Sequence, residues 1–166
     1  MVTRITFSHT IIEGEKSMKQ FELKQVKDLL NIDLTTLIIE SKEEGFLFLE
    51  RLINDYKNGT NTFSKPGEFL YGVFNQEGSV IAIGGINKDP FSPNERIGRL
   101  RRFYVSKDYR RKGVGRSLVT RILKDASEHY EIIILYTDTE HANKFYTSLG
   151  FIKGNSVSKS THFLNL

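Results

Sequence analysis

The stretch Leu100-Arg-Arg-Phe-Tyr-Val-Ser-Lys-Asp-Tyr-Arg-Arg-Lys-Gly-Val-Gly-Arg-Ser-Leu118 gathers the residue types that hold an anion. A strand-like run ends near Ser106, a short basic turn follows, and Gly113-Val114-Gly115 opens a helical pattern. The first amide hydrogens of a helix find no carbonyl inside it. The helix dipole adds about half a positive charge at that end. Glycines at 113 and 115 let a ligand approach the main chain closely, and the arginines of the turn add full charges. Together these features make a seat for phosphate or diphosphate. The nucleotide P-loop string Gly-x-x-x-x-Gly-Lys-[Ser/Thr] does not occur. The dinucleotide turn Gly-x-Gly-x-x-Gly fails as well, because Leu118 stands where the third glycine belongs.

Charge is concentrated in the same place. The whole chain nets +4, yet Arg96 to Arg116 holds nine basic residues against the single acid Asp108, a net +8, and the other 145 residues net −4. A cationic stripe on a mildly acidic body suggests an anionic partner. A solvated basic face is the plainer reading, and nucleic acid is a further candidate on electrostatic grounds. The chain has no cysteine, which excludes a thiolate nucleophile, a disulfide framework and a Cys-held metal. His9, His129, His141 and His162 are scattered without metal-ligand spacing, so no metal is expected.

The elements that must carry this segment are readable in outline. At 166 residues, 39% hydrophobic and 27% charged, the chain has the length and composition of one globular domain, 1–166. No apolar run is long enough to span a bilayer, the longest being Ile132–Tyr136, and the N-terminus lacks a signal-peptide apolar region. A cytoplasmic address is the resulting expectation. Residues 2–8 read as a strand and 17–30 as a loose helix opened by Ser17 and Gln20. Residues 41–57 read as a helix with a Ser41–Glu44 capping box. Runs at 68–75 and 79–87 form a hairpin around Asn75-Gln76-Glu77-Gly78, and 97–106 is the next strand. A helix over 113–128, a doubly covered strand at Ile132–Leu135, a helix over 140–149 and two short strands near 151–155 and 160–165 complete the order. The strand–helix–strand unit from 97 to 136 implies a parallel pair. The expectation is an α/β (α+β) fold, with a mixed, mostly antiparallel sheet of about six to seven strands and helices on both faces.

The segment resembles the GCN5-related N-acetyltransferase (GNAT) superfamily. Its signature Gln/Arg-x-x-Gly-x-Gly/Ala is matched by Arg110-Arg111-Lys112-Gly113-Val114-Gly115. Phe103-Tyr104-Val105 looks like the strand end before that signature, and Ala142-x-x-Phe145-Tyr146-x-x-Leu149-Gly150-Phe151 looks like the family's late helix and strand. The likeness is clear from 68 to 152, which implies an acetyl-CoA-binding core there and acceptor-side elements in 1–65. It implies a central parallel pair that splays, with the thioester of acetyl coenzyme A in the gap. Backbone groups from Arg110 to Arg116 would cradle the diphosphate, and Phe103, Tyr104 and Val105 would meet the pantetheine arm. Tyr146 would protonate the departing thiolate. Thr139 stands where the family often has Asn.

The resemblance implies acetyl transfer to a primary amine of a small molecule or protein, with acetyl-CoA as co-substrate, no membrane association, and a homodimer as an assembly common in such proteins. A lysine-type amine with a pKa near 10.4 is almost wholly protonated at pH 7, so its proton must be removed. Glu95, Asp138, Glu140 and ordered water are all open as the base, and Asp138 would equally cap the helix that follows. Arg99 and Arg101 share a strand face and would draw an anionic acceptor or pair with acids such as Glu95. A coenzyme-binding module without turnover and a nucleic-acid-binding protein are the competing classes.

Overall fold

The structure, a computed structural model, describes residues 20–166. Its strands are β1 (Glu22–Gln25), β2 (Phe69–Phe74), β3 (Val80–Lys88), β4 (Ile97–Val105), β5 (Ile132–Leu135), β6 (Ile152–Lys153) and β7 (His162–Asn165). Its helices are α1 (Thr35–Glu43), α2 (Phe48–Lys57), α3 (Val114–Ala126) and α4 (Glu140–Ser148). The strands form one sheet in the order β1-β2-β3-β4-β5-β7-β6. Every neighbouring pair is antiparallel except β4 with β5.

Helices cover both faces, which is why β3 is buried without interruption from Val80 to Asn87. On one face α3 sets Leu118, Val119, Ile122 and Ala126 against Ile81, Leu100 and Ile133. On the other, Leu37 of α1 and Leu49 and Leu52 of α2 pack on Leu70, Ile83 and Tyr104. Each such leucine or isoleucine contributes about 1.5–3 kcal/mol by leaving water.

Two irregularities open the sheet in its centre. The parallel pairing runs Ile97↔Ile132, Gly98↔Ile133 and Arg99↔Ile134, then stops. β4 continues to Val105 alongside β3 alone, so its other edge is unpaired over that length. Between Arg101 and Tyr104, β4 also carries one residue more than β3, and Arg102 there has φ 59. This bulge bends the strand away from its neighbour. The splayed parallel pair expected from the sequence is therefore present.

The expected strands and helices from β2 onward hold to within two residues at each end. Two earlier expectations do not. Over its described part, 17–30 is not a helix: Glu22–Gln25 pairs as an edge strand from Glu22↔Phe74 to Gln25↔Tyr71, and Leu29–Asn31 is a single 3-10 turn. The apolar spacing there reflects Val26 and Leu29, which reach the core from a strand end and a turn. The helix expected over 41–57 is two helices. α1 starts earlier, at Thr35, and Gly45, at φ 89, reverses the chain before α2. Ser41 is no cap: its hydroxyl donates to Ile38 O (3.0 Å) within α1. The strand expected at 2–8, and His9 and Ser17, lie outside the described residues.

Candidate active site

A cleft of about 1410 Å³ opens where β4 and β5 part and reaches both faces of the sheet. Its α3-side wall holds Phe103, Val105, Gly115, Thr139, Phe145 and Tyr146. Arg110, Arg111, Gly113 and Arg116 line one end, and Phe46, Phe48, Phe91, Arg101 and Arg102 line the region under α2. Tyr104 lies on the boundary. Two of the residues that the resemblance assigned to the coenzyme are absent from the wall. Val114 is buried beneath the loop as the first residue of α3. Lys112 is exposed and sets its ammonium 5.5 Å from the centre of the Tyr109 ring.

The amides of 111–116 donate to no acceptor among the described residues, and no side chain caps α3. The first bonded amide of the helix is Ser117 N, to Gly113 O at 3.0 Å. The loop gets this shape from Arg111 at φ 61 and Gly113 at φ 80. Gly113 takes the left-handed region without the cost a β-carbon would bring. A β-carbon on Gly115 would lie 3.2 Å from Phe145 Cζ and 3.4 Å from Val105 Cγ2, so glycine keeps this floor open. These unsatisfied donors at a glycine-lined helix start fit a diphosphate.

The edge of β4 is equally open. Ser106 N donates to Ile81 O at 2.9 Å, toward β3. Antiparallel alternation turns the main-chain groups of Val105 the other way, into the gap β5 has left. The Val105 carbonyl there accepts from Arg110 Nε at 2.9 Å. Tyr104, one residue back, turns its main chain to β3.

Tyr146 is buried and packs on Phe145 (5.0 Å between ring centres), Phe151 (5.6 Å) and Phe103 (6.1 Å). Its hydroxyl has no partner among the described residues. Burial pushes its pKa well above the usual phenol range, so it holds its proton throughout the neutral region.

Two acids fasten the loop: Glu40 of α1, which the sequence did not single out, and Glu44 at the C-cap of α1, which the sequence places in a capping box instead. Glu44 accepts from Arg110 Nη2 (2.7 Å) and Nη1 (3.2 Å) and from the Tyr104 hydroxyl (2.5 Å). Glu40 accepts from Lys107 N (2.5 Å) and Ser106 Oγ (3.1 Å). Their i,i+4 spacing puts both on one side of α1. The Arg110 hydrogen bonds hold the Glu44 carboxyl below its ordinary range. Arg110 N also donates, to Lys107 O, so this arginine's hydrogen-bonding groups are taken up by the protein. Thr139 is the N-cap of α4, its hydroxyl oxygen accepting from Ala142 N at 3.1 Å, a role that leaves Asp138 without the cap.

The cationic stripe is not one surface. Arg96 pairs with Glu131, Arg99 with Asp89, Arg102 with Asp55 and Arg110 with Glu44. Glu95 pairs with Lys88 rather than with Arg99. None of Glu95, Asp138 and Glu140 lines the cleft; Glu44 does, and it is engaged.

His162, 1% exposed on β7, is a structural histidine. Its Nε2 lies 2.7 Å from Asn143 Oδ1 and its Nδ1 2.8 Å from Thr161 Oγ1. The neutral ring satisfies both, donating to Asn143 and accepting from Thr161. Burial, then Lys153, lowers its pKa from 6.5. The folded value is therefore below the unfolded one, and the unfolded chain takes the proton first. Stability present above about pH 6.5 is lost as the pH falls below it. Urea midpoints should drop between pH 7 and pH 5.5, and the drop should shrink in His162→Gln; an identical drop in both proteins would remove His162 as its source.

Residues 25–151 match the Acetyltransferase (GNAT) family. A protein from Exiguobacterium sp. 255-15, assigned as an acetyltransferase, has 31% identity and a TM-score of 0.78 over 87% of this chain and 93% of its own. An acetyltransferase of the GNAT family from Staphylococcus aureus Mu50 has the same fold at 18% identity, with a TM-score of 0.65 over 88% of this chain and 99% of its own. A protein from Bacillus anthracis str. Ames, assigned as a streptothricin acetyltransferase and solved with acetyl coenzyme A, aligns at 24% identity over 62% of this chain and 65% of its own, TM-score 0.51. A diverged parallel pair beside an uncapped Arg-x-x-Gly-x-Gly helix start defines a GNAT-type acetyltransferase fold. The chain belongs to the GNAT acetyltransferase family. Among the described residues no helix is long and apolar enough to cross a membrane.

Proposed function

We propose that this chain is an N-acetyltransferase carrying an acetyl group from acetyl coenzyme A to a primary amine of a small molecule or peptide by direct attack. The observation that carries the reading is the row of unpartnered amides from 111 to 116, continuous with the open edge of β4 at Val105. Acetyl coenzyme A supplies an acyl group already activated as a thioester. The chain's own residues do the rest. Amides 111–116, with the charges of Arg111 and Arg116, hold the diphosphate. Phe103 and Val105 align the pantetheine arm as an added strand, and the Val105 N–H faces the developing oxyanion. The amine nitrogen bonds to the acyl carbon, the carbon–sulfur bond breaks, and the sulfur takes the proton of Tyr146, which regains one from water before the next turnover. Burial that raises the Tyr146 pKa raises a thiolate's proton affinity in the same place, so the transfer stays feasible.

The amine's own proton passes to water, since no free carboxylate among the described residues lines the cleft. Arg101, Arg102 and Lys159 line its acceptor side, and like charge disfavours the ammonium form. A cytoplasmic enzyme fits this chemistry. Calorimetry with acetyl coenzyme A and a thiol-release assay over polyamines, aminoglycosides, amino acids and peptides tests the reading. Binding with turnover of at least one amine is the expected outcome. No binding ends it, and binding without thiol release on any amine leaves a non-catalytic coenzyme-binding module.

A further inference from the structure

On the α1/α2 side of the cleft two guanidiniums, those of Arg51 and Arg101, meet no acceptor among the described residues; Arg51 is exposed to water, and only Arg101 is half-buried. Leu100 packs on the α3 face, so strand alternation sends Arg99 and Arg101 to the opposite face. Arg99 is fully used. It donates to Asp89 Oδ1 (2.9 Å) and to the carbonyls of Lys159 (2.8 Å) and Ser158 (3.2 Å). Arg102 reaches Asp55 Oδ2 at 3.5 Å. Arg101, between them and half-buried, donates to no acceptor among the described residues. Burial, then Arg102 and Arg99, lowers its pKa to about 10, so it stays charged at neutral pH. Keeping a half-buried arginine without a partner beside two others is unfavourable unless something negative arrives.

Resting on the acyl-transfer reading, we propose that the acceptor amine carries an anionic group, a carboxylate or a phosphate, and that Arg101 is the residue that seats it. Arg101 precedes the bulge and lies just past the last paired residues, Arg99 and Ile134, where the two strands begin to part. An anion held there leaves the amine free to point through the gap toward the Phe103–Tyr146 wall. Guanidinium forks suit both oxyanions bidentately. Lys159 and Phe91, whose ammonium and ring lie 4.1 Å apart, form the outer rim of the same seat. An acceptor with only ammonium groups would meet this cationic wall with no compensation.

The test is thiol release over matched primary amines: each amino acid beside its carboxamide, and each aminoalkyl phosphate beside its amino alcohol. In the wild-type protein the anionic member should be favoured by roughly 10- to 100-fold in kcat/KM. Arg101→Gln should erase that preference, Arg101→Lys should restore part of it, and both should bind acetyl coenzyme A as the parent does. The carboxylate and phosphate arms identify which anion is the natural one. A neutral member used as well as its anionic twin, or a preference that survives Arg101→Gln, overturns the proposal. Should acetyl coenzyme A not bind at all, the acyl-transfer reading falls by itself. Calorimetry of the acids alone on parent and Arg101→Gln then still decides the seat, and equal or absent binding in both rejects it.

Discussion

Replacing Tyr146 by Phe should lower kcat by about 10²- to 10⁴-fold, the range lost when a positioned acid is removed. The substitution is unusually clean here. The ring's contacts with Phe103, Phe145 and Phe151 are all made by carbon atoms and survive. The hydroxyl has no protein partner among the described residues, so no donor or acceptor is orphaned. Folding stability should stay within about 0.5 kcal/mol of the parent. The affinity for acetyl coenzyme A should hold too, because the amides of 111–116 and the β4 edge are untouched. The loss should therefore appear in kcat, with the KM for the thioester unchanged. Thiol release under saturating acceptor, alongside calorimetry on the same preparation, reads both quantities. A variant that turns over within about threefold of the parent would show that water, not Tyr146, meets the sulfur.

The sequence could propose this tyrosine because its context is local. Ala142, Phe145, Tyr146 and Leu149 lie within one helix, and Arg110 to Arg116 within one turn, so their spacing carries the geometry. β2 to β5 were readable for the same reason: apolar runs separated by turn residues mark their own ends. What escaped depends on partners distant in the chain. β1 is four residues long and mostly exposed, so it shows no alternation, and only its register with Phe74 to Tyr71 makes it a strand. The helical period of 41–57 runs through Gly45, and only the backbone angle there separates α1 from α2. Glu44 meets Arg110 and Tyr104 from 66 and 60 residues away in the chain. A carboxylate on an amphipathic helix gives no sign of that. Arg101 is the opposite case. In sequence it shares a strand face with Arg99, and only the structure reveals that Arg99 and Arg102 each have an acid while Arg101 has none among the described residues.

The second large effect concerns the loop itself. Gly113→Glu should weaken acetyl coenzyme A binding by about 100-fold or more. Two effects add. A β-carbon at φ 80 costs roughly 1–2 kcal/mol of backbone strain, although it would meet no atom within 4 Å. The new carboxylate would also stand beside six unpartnered amides, where it can cap them as an N-terminal acid does and repel a diphosphate that approaches. Gly113→Ala separates the two. It carries the strain without the charge, so it should lower the melting temperature while costing much less affinity than Glu. Gly113→Lys carries the strain with the opposite charge and should bind at least as well as Ala. If Glu, Ala and Lys weaken binding equally, backbone shape alone governs the seat and the amides are not meeting an anion. If none of them changes affinity, the coenzyme does not lie on this helix start, and the assignment of the cleft's phosphate end is wrong.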